Sequence, residues 1–198
     1  MLRPGRWMRL AALCTVLAVC ACAADEKSNP EPVAASPQPA EAQLRPGLSV
    51  RYYGLDIEDI SALQRAASPR GGNPGAPLPA LDYPNSSGPV LTSGAKIGIG
   101  ADISGFIRFP ASGRYAIAAN ANDGVRIYVG GARVSDDPGA HPDQISPPGE
   151  INVDGGVWYP LRVLYFQRRG TWALQLMWAP AGAKLSVVPA SALARTEE

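Results

Sequence analysis

Alternating apolar and polar positions dominate the middle of the chain, in short runs that turn residues keep interrupting. Ile103, Ile107 and Phe109 share one phase of such a run, with Arg108 in the other. After Pro110-Ala111-Ser112-Gly113 the alternation resumes, with Tyr115, Ile117 and Ala119 set against Arg114, Ala116 and Ala118. Val125, Ile127 and Val129 then alternate with Arg126 and Tyr128 until Gly130-Gly131 turns the chain. A period of two sends successive side chains to opposite faces of a strand, so residues 103–131 predict three consecutive antiparallel strands. Asn122-Asp123-Gly124, between the second and third, are residue types that tolerate positive φ and predict a tight hairpin turn.

The same reading extends in both directions. Residues 48–53 predict a first strand, 150–153 a short one and 185–188 a last one. A strand beginning at Trp158 is expected to start at a sheet edge, because Pro160 has no N–H for the ladder. Arg168-Arg169-Gly170 closes a hairpin onto a strand in which Trp172, Leu174, Leu176 and Trp178 alternate. Residues 56–63 break the pattern: Ile57, Ile60 and Leu63 recur every third position and predict one or two helical turns. Residues 68–89 are dense in Gly, Pro and Asn and read as a long loop between the first two strands. Many short strands with frequent turns predict an all-β antiparallel sandwich or barrel, with Trp158, Trp172 and Trp178 in its core.

The first 44 residues follow other rules. Arg3, Arg6 and Arg9 precede an apolar run over 11–19, and small residues follow at 20–24, the pattern of a secretory signal. The run is shorter than the roughly 20 apolar residues that span a bilayer. Two cleavage sites fit. Val19-Cys20-Ala21-Cys22 resembles a bacterial lipobox, which would make Cys22 the lipid-modified first residue; Ala21-Cys22-Ala23 would instead release a soluble protein. Residues 22–44 are rich in Pro, Ala, Glu, Gln and Ser and read as an extended tether, leaving a domain over 45–195. Export to the bacterial periplasm or outer membrane follows, with the membrane reached through the N-terminal lipid.

Charge and cysteines narrow the chemistry. Three of the 18 basic residues lie in the signal, so the remainder is mildly acidic and carries no basic block, which argues against nucleic acid. Cys14, Cys20 and Cys22 are the whole cysteine complement, so the domain has neither disulfide nor thiolate metal site. His141 is the single histidine, in a Pro-rich loop without an evident partner, so a serine nucleophile lacks its base. Asp136, Asp137, Asp143 and Glu150 are the acids that glycoside hydrolysis would need to pair, although turns attract Asp for their own backbone. No enzyme is expected.

The run SGRYAIAANANDGVRIYVGG resembles the core of the PA14 domain, with its aromatic strand, Asp-Asp-Gly-like turn and V-R-I-Y-V-G-G-like strand in the same order. Residues 47–53, 158–166 and 171–178 are similar to that domain's opening strand and penultimate hairpin, and the likeness spans about 150 residues. The resemblance implies the same β-sandwich and glycan recognition at the cell envelope, or a protein-interaction module without a sugar ligand. In sugar-binding adhesins of that family two adjacent aspartates at this turn hold a calcium ion. Asn122 and Asp123 occupy those places, with one charge lost, and the adhesins' later asparagine is replaced by the turn Gln167-Arg168-Arg169-Gly170. The metal-independent alternative is an outward face formed by Tyr128, Arg126 and Arg114, which suits a sugar or a protein partner.

Overall fold

In the computed structural model, which describes residues 1, 31–68 and 71–197, two antiparallel sheets face each other across one core. The signal segment and Cys22 lie outside the described residues. In chain order the elements are β1 (Leu44–Pro46), β2 (Ser49–Gly54), α1 (Ile60–Ala66), β3 (Asn73–Pro74), β4 (Asp82–Ser86), β5 (Ile99–Arg108), β6 (Gly113–Asn122) and β7 (Val125–Val129). They continue as β8 (Ala132–Asp137), β9 (Gln144–Ile145), β10 (Gly149–Val153), β11 (Trp158–Gln167), β12 (Trp172–Pro180), β13 (Ser186–Val187) and β14 (Leu193–Thr196).

The first sheet runs β8-β7-β11-β5, and the far edge of β5 is shared by β2 and β14, with β3 and β1 outside them. The second is built on β6 and β12, with β9 and β10 along one side and β4 and β13 along the other. Ile103, Ile107, Ile127, Val163 and Tyr165 meet Ile117, Ala119, Ala121, Leu174 and Leu176 between the sheets. The three tryptophans are buried there or beside it, as their strand positions predict.

The alternating runs do form strands, but their pairing differs from the sequence reading. β5 and β7 lie in one sheet and β6 in the other, so residues 103–131 do not form three neighbouring strands. Asn122-Asp123-Gly124 is a crossover between sheets rather than a hairpin, and none of the three has positive φ. Gly124 is required for space: a Cβ there would lie 2.5 Å from the Phe166 ring and 2.8 Å from the Gly139 carbonyl. The turn after β11 is likewise a crossover, to β12. Alternation reports which faces are buried; it does not say whether the next strand lies beside or opposite. Pro160 sits just before β11 begins to pair with β7, so the expected edge holds only for the first residues of a central strand.

In two segments read as loose, the described residues include strands and main-chain bonds to the body. Residues 68–89 contain β3 and β4 and bury Leu78 and Leu81 completely, because β4 supplies an edge for β12. The tether ends earlier than residue 44. Val33 N–H donates to the Gly130 carbonyl at 3.0 Å and Ala35 N–H to that of Trp158 at 2.9 Å, while β1 pairs with β14. This strap covers the flank of β11 that β7 does not reach.

The helix begins later than expected, at Ile60, where the Asp59 carboxylate caps the Ser61 N–H at 2.7 Å. It lies on the outer face of the first sheet, where Ile60 and Leu63 pack with Tyr53, Leu164 and Phe166. Gly100 makes room for it, since a Cβ there would meet Leu63 Cδ1 at 2.7 Å.

Candidate functional site

The β6–β7 and β11–β12 crossovers emerge at the same end of the sandwich, and main-chain bonds lock them together. Asp123 N–H donates to the Phe166 carbonyl at 3.1 Å, and Phe166 N–H to that of Gly124 at 3.0 Å. The Tyr165 hydroxyl, buried between the sheets, donates to the Asn122 carbonyl at 2.5 Å. Its burial, with the Asp123 and Asp143 charges nearby, pushes this phenol well above its ordinary pKa. The Asn122–Asp123 peptide is cis.

Asp123 ties the surrounding loops. One carboxylate oxygen accepts the His141 N–H at 3.1 Å and the other the Arg168 N–H at 2.7 Å. The loop from β8 to β9 and the crossover from β11 to β12 therefore hang on a single side chain that is only 7% exposed. Asn122 turns its amide N–H to Asp143 at 2.9 Å, and Asn85 of β4 donates to both oxygens of that same carboxylate at 2.9 Å. Thr171 receives a further bond from Asn85 at 3.2 Å. Above this network lies an open hollow of about 440 Å³ walled by Asn122, Asp123, His141, Arg168, Arg169 and Thr171.

The donor set does not suit calcium. The ion takes six to eight oxygen ligands, several of them charged. Here Asp123 has each oxygen engaged by a main-chain N–H, and Asn122 presents N–H to its neighbouring acid. Among the described residues, no three of His, Cys, Asp and Glu come together as a metal group. Arg168 and Arg169, expected to repel a cation, turn to Asp56 at 3.0 and 3.1 Å, and Arg168 also meets Glu58 at 2.7 Å. These bonds hold the Asp56 carboxyl below the ordinary carboxylate range.

The other expected residues fall elsewhere. Arg126 is buried rather than outward, because α1 covers that face. Its guanidinium grips Asp136 at 2.7 and 3.0 Å and reaches Gln64 of the helix. Tyr128 is half-buried on the same face and does not approach the crossover end. Arg114 is exposed at the opposite end and faces Glu150 at 3.4 Å. The His141 ring bonds locally, Nδ1 lying 2.8 Å from the Pro142 carbonyl, and its buried Nε2 lies 3.3 Å from Asp137 without a hydrogen bond. Asn85, Asp143 and Thr171 complete the site without having been singled out for it. The signal for Asn85 was hidden in a segment read as loop, and only pairing of β4 with β12 brings it beside Asn122.

Comparison with known proteins agrees with this architecture. The PA14 domain family model matches residues 92–192. The PA14 domain of the MpAFP antifreeze protein superposes with a TM-score of 0.65 at 16% identity, covering 83% of this chain and 98% of that one. A PA14 sugar-binding domain from an RTX adhesin gives 0.59 at 16% identity, covering 76% and 98%. The epithelial adhesin 9 A domain of Candida glabrata, in complex with Galb1-3GlcNAc, gives 0.63 at 14% identity, covering 85% and 97%. No curated protein matches the chain. At these identities the structural likeness shows the fold.

Proposed function

The chain belongs to the PA14 domain family, and from that premise we propose that it is a non-catalytic glycan-binding module whose ligand enters the hollow at the crossover end. One observation carries this reading: polar side chains around an open 440 Å³ hollow are held in place by a closed hydrogen-bond network. Preorganised polar groups are what orient a small hydroxylated ligand. The charged side chains on its wall are already engaged: Asp123 by two main-chain N–H groups, and Arg168 and Arg169 by Asp56 and Glu58. That engagement favours a neutral sugar over an anionic one. Recognition is direct and needs no calcium ion.

Glycan-binding neighbours support the reading: the Candida glabrata domain holds Galb1-3GlcNAc. Export and anchoring through Cys22 belong to the same proposal, and would place the module at a bacterial envelope. The test is a panel of neutral and acidic glycans titrated onto the purified protein in calcium and again in EDTA. Binding of a neutral glycan that persists in EDTA, and is lost on Thr171→Arg, is the expected result. Binding abolished by EDTA would restore the calcium site, and no binding to any glycan would favour the protein-interaction module.

A further inference from the structure

The outer face of the first sheet carries a second hollow, of about 340 Å³, remote from the crossovers. Its walls are Gln64, Tyr128, Gly131, Pro160, Leu161 and Arg162. Tyr128 on β7 stands directly opposite Arg162 on β11 and Arg133 on β8, so one aromatic ring lies between two guanidinium side chains in a row across the sheet. Arg162 uses Nε and one terminal nitrogen on Asp102, both at 2.9 Å, and is 40% exposed. A guanidinium has five N–H donors, so its other terminal nitrogen keeps donors to offer.

The strands of this face bring Arg126, Arg133 and Arg162 together with Asp102 and Asp136, while Asp59 and Arg65 of the adjoining helix cancel. The surplus among these groups is positive. A tyrosine ring suits the C–H face of a pyranose, and an arginine edge suits a carboxylate. Gln64, exposed on the helix, adds an amide able to meet a hydroxyl.

We infer that this face is a second binding site, taking a carboxylate-bearing pyranose of an acidic polysaccharide, with Tyr128 beneath the ring and Arg162 on the carboxylate. It is independent of the neutral-sugar hollow, and each site stands or falls separately.

The probe is an oligogalacturonate, titrated onto the purified protein at low salt by calorimetry, with its methyl ester as the uncharged control. The charged oligomer is expected to bind, and the ester to bind roughly tenfold more weakly or worse. Arg162→Gln and Tyr128→Ala should each weaken the charged oligomer by about tenfold. Asp102→Asn should tighten it, by releasing the guanidinium that Asp102 now occupies. That gain separates a contact with ligand from a merely structural role, which removing the pair would only harm. Thermal melts identify any variant that fails to fold, and Tyr128→Phe and Arg162→Lys, which keep the ring and the charge, then stand in. Equal affinity for acid and ester, no binding of either, or unchanged affinity in folded Arg162→Gln would overturn the assignment.

Discussion

At the scale of single residues, Asp123 has the most consequential geometry in the chain, because two separate loops hang from its two oxygens. Hydrogen bonds to a charged group contribute about 1.5–3 kcal/mol each, and a buried N–H left without a partner costs about as much. Asp123→Ala is therefore expected to destabilise the fold by about 3 kcal/mol or more, whether or not calcium is present, as read from the midpoint of urea unfolding. A loss that appears only in calcium would contradict a purely hydrogen-bonded role. The sequence reading placed ligand and metal binding at Asn122 and Asp123; in the fold their side chains bond Asp143 and the His141 and Arg168 N–H groups. A turn motif records which residue types gather there. Whether their oxygens face a metal or a backbone amide depends on residues 141 and 168, which only the fold brings near.

At the scale of elements, α1 shows how a weak pattern becomes a secure helix. Two of the three apolar positions read from the sequence, Ile60 and Leu63, fall in it, and its seven residues are too few to be stable alone. Packing of Ile60 and Leu63 on Leu164 and Phe166, in the space Gly100 leaves, supplies what propensity does not. The same helix buries Arg126, which the alternation alone had placed in solvent; a strand's period cannot reveal that something covers its outer face. The cap can be tested. Asp59→Ala should cost about 1 kcal/mol at neutral pH. The Ser61 main-chain N–H lowers the folded pKa of Asp59 from its ordinary value of 3.8. Stability from this group is thus fully present above that value and disappears as pH falls through the depressed folded pKa. The difference between wild type and Asp59→Ala, followed by urea unfolding, should be constant at neutral pH and shrink only in acid. A difference that instead shrinks as pH rises would rule out the cap as its source.

At the scale of the whole molecule, the strap and the crossover hollow lie at opposite ends of the sandwich. β7 ends near the strap, at the Val33–Gly130 contact, and the antiparallel β11 begins there, at the Ala35–Trp158 contact. Val129 and Trp158 are at the strap end, and Val125 and Gln167 at the crossover end. The chain N-terminal to the strap therefore joins the domain away from the hollow, which suits a module held by its N-terminus with its ligand end free. Sequence composition could not show this docking, because Pro, Ala and Gln-rich segments carry no apolar period. Magnitudes make the strap marginal. Val33, Ala35 and both ends of the Gln38 amide give four hydrogen bonds to the body, worth about 1 kcal/mol each. Ordering residues 32–38 costs about 1 kcal/mol for each of the five that are not proline, since Pro32 and Pro37 have φ already fixed. With Ala34 packed against the core, the two sides nearly balance. Amide exchange at Val33 and Ala35 is thus expected to be orders of magnitude faster than at Phe166, whose opening requires the sheet to break. Deleting residues 31–38 should lower Tm by only about 2–4 °C, the shift that about 1 kcal/mol produces in a domain of this size, and leave glycan affinity at the far end unchanged. Core-like protection of the Val33 and Ala35 amides would show that the strap is part of the cooperative unit, and a change in affinity would show that the two ends are coupled.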